Sequence, residues 1–294
     1  MLIFHYASLE TFKSIIENHC IWLCDIQKSN DSTERTYFEQ VLLEVIDDFI
    51  DDPTEIESFS PYATKALTTF KDTYRNQHSD IPPIYSASFS LNGDLLGQWR
   101  AYANDGSGVS IGFERDFLGK VFAGRDGWTI WYGLQDAIST CKGQIIRTLR
   151  DLPSKDDEIS YTHNFTLSLL QFMDYKNIFY KHECFREEQE FRIVYRNGIR
   201  NYENPKTNIG LFTSVVKDIP ADSGFVLSQR RYRISNNRLS SYYELSFENI
   251  REHIISEIIL GPKCQTDPSD IRLFLQDNGY YSDIPIQRSE IPYR

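Results

Sequence analysis

The feature that most constrains the fold of this chain is strict period-two alternation in two separate stretches. Residues 84–90 alternate apolar residues with serines, in the order Ile-Tyr-Ser-Ala-Ser-Phe-Ser. Residues 188–195 run Glu-Gln-Glu-Phe-Arg-Ile-Val-Tyr and alternate in the same way. Because successive side chains of a strand point to opposite faces, each stretch is predicted to be a half-buried strand. The second strand would place Glu188, Glu190 and Arg192 together on its polar face.

Helical periodicity, with apolar residues three or four positions apart, occupies much of the remaining chain. It predicts helices in residues 9–20, 37–49, 61–78, 134–150 and 157–183, whereas residues 51–60 and 197–220 read as loops. Strands and helices follow one another without a regular βαβ rhythm, which predicts an α+β fold. We expect a mixed or mainly antiparallel sheet with peripheral helices. The chain is predicted to be a single domain, 1–294, with helical insertions at about 35–80 and about 134–183.

Composition narrows the classes of partner. The net charge of −11 argues against broad, nonspecific attraction to nucleic acid. The one basic run, Gln229–Arg233, is best explained as a solvated loop, although Tyr232–Ile234 could be a strand. Aromatic residues make up 14% of the chain, so stacking surfaces for a base or a nicotinamide ring are available.

Several features predict a cytoplasmic protein without a membrane partner. The five cysteines are odd in number and scattered, which fits reduced thiols better than a disulfide framework. The first residues, Met-Leu-Ile-Phe-His-Tyr, lack the basic segment and long apolar core of a signal peptide. No stretch approaches the roughly 18 apolar residues of a membrane span.

Known catalytic motifs are a poor match to this sequence. His182-Glu183 resembles the start of a zinc-protease helix, but Arg186 stands where the second histidine should be. The glycines from Gly93 to Gly97 lack the Gly-Lys-Ser/Thr ending of a phosphate loop. No metal is therefore expected. The polar face of the 188–195 strand is the remaining candidate site. Two carboxylates on one strand face repel each other and destabilise the fold unless Arg192 offsets the repulsion or a ligand binds there.

Several short motifs occur together along the chain. They are, in order, His5-Tyr6, Asn30-Asp31 with Glu34, Ser88-Phe89-Ser90, Trp99 with Tyr102, Gly108-Val109-Ser110-Ile111-Gly112-Phe113, Glu188-x-Glu190-x-Arg192 and Ser289-Glu290-Ile291-Pro292-Tyr293-Arg294. Together they resemble a large bacterial family, domain of unknown function 2971. The resemblance covers nearly the whole chain. It implies little about function.

A more distant resemblance is to ADP-ribosyltransferases, including the DNA-modifying toxin and tRNA 2′-phosphotransferase branches. Those enzymes bind NAD on a split, mainly antiparallel sheet through three motifs in chain order. His5 would match the first motif, and Glu188-Gln189-Glu190 the third. Ser88-Phe89-Ser90 is one match to the second motif, and Tyr102 is a rival match.

This second resemblance implies a role for each residue. Glu190 would hydrogen-bond the 2′-hydroxyl of the ribose and offset the positive charge that develops as the nicotinamide bond breaks. Glu188 would orient or deprotonate the acceptor. His5 would bind a ribose hydroxyl or the adenosine side. The remaining residues expected to bind NAD are Tyr6, Ser88, Ser90, Trp99, Tyr102 and Arg192, with Tyr6, Trp99 or Tyr102 stacking on nicotinamide.

Three functions follow as hypotheses. The first is an NAD-dependent ADP-ribosyltransferase-like enzyme that modifies a nucleic acid or protein, as a toxin or phage-defence effector. The second is a catalytically silent binding or interaction module in which His5 is structural, Trp99 and Tyr102 are core aromatics, and the charged residues form an ion-pair ladder. The third is a metal-dependent nuclease built on Asp31, Glu34, Glu188 and Glu190.

Overall fold

A computed structural model describes most of the chain. It covers residues 1–28, 36–75, 83–119, 127–152, 157–196, 199–204, 209–214, 219–235, 237–281 and 283–293. The Asn30-Asp31 turn, Glu34 and Arg294 lie outside these residues.

The strands are short and distributed along the whole chain. They are β1 (Leu2–Ala7), β2 (Cys20–Asp25), β3 (Ile84–Ser90), β4 (Val109–Glu114), β5 (Gly127–Thr129), β6 (Trp131–Tyr132), β7 (Tyr180–Lys181), β8 (Glu190–Arg196), β9 (Ile199–Asn204), β10 (Ile209–Ser214), β11 (Val226–Leu227), β12 (Arg231–Ser235), β13 (Arg238–Ser246), β14 (Ile255–Leu260) and β15 (Ile286–Arg288).

The longer helices lie mainly between β2 and β8. The helices are α1 (Leu9–Asn18), α2 (Tyr37–Asp51), α3 (Thr54–Glu57), α4 (Ala63–Arg75), α5 (Leu96–Tyr102), α6 (Arg115–Gly119), α7 (Leu134–Asp151), α8 (Glu158–Lys176), α9 (Arg251–Ile254) and α10 (Pro268–Asp277). Short 3₁₀ turns at Ile26–Lys28 and Glu183–Glu188 also contribute to the site described below.

One large sheet organises the molecule, with the strand order β11-β13-β2-β3-β1-β4-β14-β15. β8 adds to it beside β3, and β12 beside β13. Most neighbours are antiparallel, whereas β14 and β15 are parallel. The predicted α+β fold with a mixed, mainly antiparallel sheet is confirmed.

The sheet is split beside β3. β8 pairs with β3 along its full length, from Ile84 to Ser90, and so occupies one edge of that strand. On the other edge, β2 pairs with β3 only at Tyr85 and Ser86, and β1 only at Ser90. The backbone between these contacts therefore faces a gap between β1 and β2.

The main hydrophobic core lies under one face of the sheet. Tyr85, Ala87 and Phe89 of β3 point into it together with Phe191 and Ile193 of β8. Residues of α1, α9 and α10 complete this core. The serines that alternate with these residues in β3 point to the opposite face, as the period-two pattern predicts.

A second core is formed by helices, with Tyr180 of β7 packed among them. It joins α2, α3 and α4 to α7 and α8, so the two predicted helical insertions pack against each other. α7 spans Leu134–Asp151, close to the predicted helix, whereas α8 ends at Lys176, earlier than expected.

Two expectations about loops were wrong. Residues 197–220 contain the antiparallel pair β9 and β10 rather than loop alone. The region 51–60 contains the short helix α3. The loop interpretation of the basic run at 229–233 is wrong for its last residues, where the possible strand at Tyr232–Ile234 is confirmed by β12, which pairs with β13. In each case strand pairing or packing supplies order that residue composition does not reveal.

Among the helices described, none combines the length and apolar character that crossing a bilayer requires.

Candidate functional site

A cleft of about 380 Å³ opens on the face of the sheet opposite the main core. Eight of the nine residues predicted to form the site line it: His5, Tyr6, Ser88, Ser90, Tyr102, Glu188, Glu190 and Arg192. Trp99 is the exception, since it is fully buried behind Tyr6. The sequence motifs, far apart in the chain, are thus gathered around one cavity.

Glu188 is not on the strand where the alternation placed it. The 3₁₀ turn Glu183–Glu188 ends at Gln189, whose left-handed backbone (φ 46°) redirects the chain into β8 at Glu190. The prediction that Glu188, Glu190 and Arg192 share one strand face is therefore wrong for Glu188. Its carboxylate nevertheless reaches the cleft, because the turn folds back toward β7.

Glu190 and Arg192 form a buried ion pair. The Arg192 guanidinium donates from Nε to Glu190 Oε1 at 2.5 Å and from Nη2 to Oε2 at 2.9 Å. The side chains are only 5% and 1% exposed. Arg192 Nη1 donates to the Ile178 carbonyl at 2.9 Å, which fixes the guanidinium from its other side. Arg192 thus contacts both oxygens of Glu190 and holds the carboxylate in one orientation.

Lys181 is the residue that sequence reasoning missed. Its Nζ lies 2.8 Å from Glu188 Oε2 and 2.8 Å from Glu190 Oε2, so one ammonium joins both carboxylates. The side chain is 7% exposed. β7, which carries it, has only two residues, too short for any periodic signal, so the sequence offered no cue beyond an isolated lysine near the motif.

The charge of Glu190 is set by these two cations. Burial opposes ionisation, but the charges of Arg192 and Lys181 and their hydrogen bonds outweigh it and lower the pKa of Glu190 to about 2. Glu190 is therefore a carboxylate at neutral pH despite being buried. Among the described residues, Arg192 is the only one seen to donate to Oε1; because a carboxylate oxygen can accept two hydrogen bonds, one acceptor position is left for a ligand hydroxyl.

Two tyrosines bracket the carboxylates. Tyr102, at the end of α5, donates its hydroxyl to Glu188 Oε1 at 3.1 Å, and its ring is 40% exposed. Tyr132 accepts the backbone N–H of Glu190 at 2.9 Å. Burial raises the pKa of both phenols, to about 12 for Tyr132. Both remain protonated at neutral pH, so Tyr102 is a donor that orients Glu188.

The serines of β3 have different environments. Ser88 is exposed in the cleft, as expected for a ligand-facing strand position. Ser90 is buried; its hydroxyl donates to the Glu188 carbonyl at 2.9 Å and accepts from the Asn92 N–H at 3.2 Å. Ser90 therefore anchors the turn that presents Glu188, whereas Ser88 has the exposed hydroxyl.

His5 lies in the split of the sheet. Phe4 pairs with Ser90 and shares the cleft face, whereas the His5 ring lies toward the core side, 5.6 Å from the ring of Phe89. His5 nevertheless lines the cleft, since it lies at the gap between β1 and β2. His5 Nδ1 lies 3.1 Å from the Ser88 carbonyl oxygen. A carbonyl can only accept, so Nδ1 carries the hydrogen. Burial lowers the pKa of His5, and in the neutral ring Nε2 is then an acceptor.

Tyr6 and Trp99 support the wall of the cleft. The Tyr6 hydroxyl donates to the Asn92 carbonyl and accepts from the Leu95 N–H, each at 2.9 Å. Its ring packs edge-on against Trp99 at 4.8 Å. Trp99 is fully buried and donates Nε1–H to Asp94 at 2.6 Å. The exposed aromatic ring at the carboxylate end is therefore that of Tyr102.

A metal centre finds no support in the described part of the chain. There, no group of three or more histidine, cysteine or acidic side chains is arranged to hold a metal ion. Two members of the hypothetical nuclease set, Asp31 and Glu34, lie outside the described residues. The other two, Glu188 and Glu190, share Lys181 as their counterion.

Comparison with known proteins identifies one relationship. Residues 98–193 match the model of a family described as Protein of unknown function (DUF2971). The match covers about a third of the chain and supports the first resemblance. It includes Tyr102, Lys181, Glu188, Glu190 and Arg192. No curated protein and no solved structure matches the chain, so the resemblance to ADP-ribosyltransferases stays a prediction.

Proposed function

We propose that this protein is an NAD-dependent ADP-ribosyltransferase-like enzyme that cleaves the nicotinamide–ribose bond and transfers ADP-ribose to a nucleic acid or protein. The observation that carries the proposal is the split between β1 and β2. Around it lie His5, Ser88 and the Glu188–Glu190 pair, one from each of the three motifs that bind NAD in the enzymes this chain resembles. A role as a toxin or phage-defence effector is the biological setting that the resemblance suggests.

The electrostatics of the carboxylate end suit this reaction. When the bond between ribose C1′ and nicotinamide breaks, its electron pair leaves with the nicotinamide nitrogen and positive charge develops on the ribose. Glu190, held ionised by Arg192 and Lys181, supplies negative charge that is already oriented. Its remaining acceptor position on Oε1 is suited to the ribose 2′-hydroxyl.

Of the two carboxylates, Glu188 is better placed than Glu190 to accept a proton from the acceptor. Its side chain is 14% exposed, against 5% for Glu190, and it is bound on one oxygen by Lys181 and on the other by Tyr102. In the proposed transfer, the acceptor nucleophile attacks C1′ and gives its proton to Glu188. Tyr102, whose ring is exposed beside it, is the residue we assign to stacking on the nicotinamide.

A second candidate is a silent binding module of the same fold. The observation that favours it is that both oxygens of Glu190 are engaged by buried cations, the arrangement expected of a structural ion pair. In that case the pair would stabilise the 183–196 region, and the cleft would bind a ligand without cleaving it.

Nicotinamide release from NAD by the purified protein separates the two candidates. The wild type is compared with Glu190→Gln and Glu188→Gln, with and without a chelator, after circular dichroism has shown each variant to be folded. The proposal predicts release that survives chelation, that falls at least a hundredfold in Glu190→Gln, and that loses transfer to the acceptor in Glu188→Gln. Wild-type protein that binds NAD but releases no nicotinamide, in the presence of cell extract as an acceptor source, would favour the binding module.

A further inference from the structure

The end of the cleft far from Glu188 and Glu190 is cationic. Arg233 of β12 and Lys28 of the 3₁₀ turn after β2 both line it. Within the described residues neither cation has an ion-pair partner, whereas Arg231, two positions away on the same strand, pairs with Glu244 at 3.1 Å. Two positive charges that lack an ion-pair partner at the same end of a cavity point to an anion as their ligand.

Neighbouring side chains position Arg233 but do not pair all of its hydrogen-bond donors within the described part of the chain. Its guanidinium carbon lies 5.3 Å from the centre of the Trp22 ring, and Nη2 lies 3.5 Å from Cys24 Sγ, a weak acceptor. Its Nε is buried and has no hydrogen-bond partner. A buried N–H without an acceptor is unfavourable, so Arg233 retains hydrogen-bonding capacity that a rearrangement toward a bound anion could use.

Most of the groups around Arg233 are donors. Lys28 Nζ donates one hydrogen to the Leu239 carbonyl at 2.7 Å, which leaves two for a ligand because an ammonium has three. Ser86 of β3 and Ser240 of β13 also line this end of the cleft. Asp25 lines the cleft as well, but it pairs with Tyr85, whose side chain faces the core, and its Oδ1 accepts the Gln27 N–H at 3.1 Å.

We propose that Arg233 and Lys28 form a subsite for a diphosphate group. The guanidinium, the ammonium and two serine hydroxyls match the several oxygens that a diphosphate presents, and the carboxylates at the other end exclude it from their side. The cleft therefore differs in charge between its two ends and orients a ligand in which a sugar separates a diphosphate from a cationic ring.

The subsite deepens the proposed function and, for the identity of the full ligand, rests on it, because the nicotinamide half of NAD has this arrangement. The residues involved lie outside the matched region 98–193 and outside the three motifs of the resemblance. Binding of a diphosphate, however, requires no bond cleavage and can be measured by itself.

Calorimetric titration with inorganic diphosphate tests the subsite. We expect binding by the wild type, at least a tenfold loss of affinity in Arg233→Gln and a smaller loss in Lys28→Gln. Arg231→Gln is the matched control: it removes the same charge from the same strand but from a guanidinium already paired with Glu244. Its affinity should stay within twofold of the wild type. Titration with ADP-ribose and with inorganic phosphate then shows whether the site prefers a nucleotide diphosphate to a free ion.

Each result of these titrations either supports or rejects the diphosphate subsite. No binding by the wild type, equal affinity in Arg233→Gln, or equal losses in Arg233→Gln and Arg231→Gln would overturn the proposal, the last because it indicates attraction to net charge alone. Failure of the subsite is distinguishable from failure of the proposed function. Nicotinamide release with an unchanged KM for NAD in Arg233→Gln would reject the subsite only. Diphosphate binding at Arg233 without nicotinamide release would reject the enzyme only.

Discussion

Replacing Lys181 with methionine is the perturbation that tests the electrostatics of the site most severely. The ammonium is 7% exposed and lies 2.8 Å from an oxygen of each carboxylate, Glu188 and Glu190. Methionine keeps much of the apolar stem and removes the charge. The two carboxylate oxygens that remain are at most about 5.6 Å apart, since both contact one atom.

The magnitude follows from that geometry. Two unit charges at about 5.6 Å repel each other by about 3 kcal/mol at an effective dielectric constant of 20. Removing one partner from a buried ion pair typically costs about 3–5 kcal/mol, which agrees with this value. We therefore expect Lys181→Met to lower the free energy of unfolding at pH 7 by about 3–5 kcal/mol.

The pH dependence has a definite sign. In the variant, repulsion raises the pKa of one carboxylate in the folded state, so lowering the pH through that pKa stabilises the variant. In the wild type the pKa of Glu190 is depressed to about 2, so lowering the pH destabilises the folded state. The difference in stability between the two proteins should therefore shrink as the pH falls from 7 to 4.

Urea unfolding followed by tryptophan fluorescence measures both effects. Lys13→Met is the matched control, because Lys13 forms an exposed pair with Glu17 and should contribute less than about 0.5 kcal/mol. The double variant Lys181→Met/Glu188→Gln should recover at least half of the loss. A loss below about 1 kcal/mol for Lys181→Met, with the same pH profile as the wild type, would refute the idea that this lysine holds the carboxylates together.

Two further predictions concern acid stability and backbone contact. Because the pKa of Glu190 is about 2 in the folded state and 4.5 ordinarily, its ionisation contributes about 3 kcal/mol above pH 4.5, at 1.36 kcal/mol per pH unit. That contribution should disappear as the pH falls toward 2, and urea unfolding of Glu190→Gln should show a correspondingly weaker pH dependence; an unchanged slope would contradict the depressed pKa. Gly108→Ala should destabilise the protein by about 1–3 kcal/mol, because the added Cβ would lie 2.1 Å from the Ala7 carbonyl oxygen. Gly143→Ala, in α7 with no atom within 4 Å of the new Cβ, should stabilise it by about 1 kcal/mol, and thermal unfolding that ranked the two glycines the other way would refute this account of their packing.

The parts of the fold that the sequence predicts well are those with a long periodic signal. The alternation in β3 correctly separates Tyr85 and Phe89, which enter the core, from Ser88, which faces the cleft. The same signal fails at Glu188, because the left-handed backbone of Gln189 separates Glu188 from the strand. Neither a glycine nor a proline marks this position in the sequence.

The site residues that the sequence does not predict are those whose roles depend on tertiary contacts. Lys181 lies on a two-residue strand, and its role depends on carboxylates brought to it by the turn at 183–188. Arg233 belongs to a run that composition favours as a solvated loop, although Tyr232–Ile234 reads as a possible strand; the hairpin that β12 forms with β13 confirms the strand. What the local pattern does not show is that this hairpin lies beside the cleft, because β13 also pairs with β2, which is distant in sequence.

The most direct test of the central claim is hydrogen–deuterium exchange with and without NAD. In the proposed complex, NAD lies in the cleft between the Glu188 and Glu190 carboxylates and Arg233. This placement predicts slower amide exchange on NAD addition in the 3₁₀ turns at residues 26–28 and 183–188 and at the end of α5, with α7 unchanged as an internal control. Absence of protection at these segments at saturating NAD, or protection confined to the helical core around α7, would contradict it.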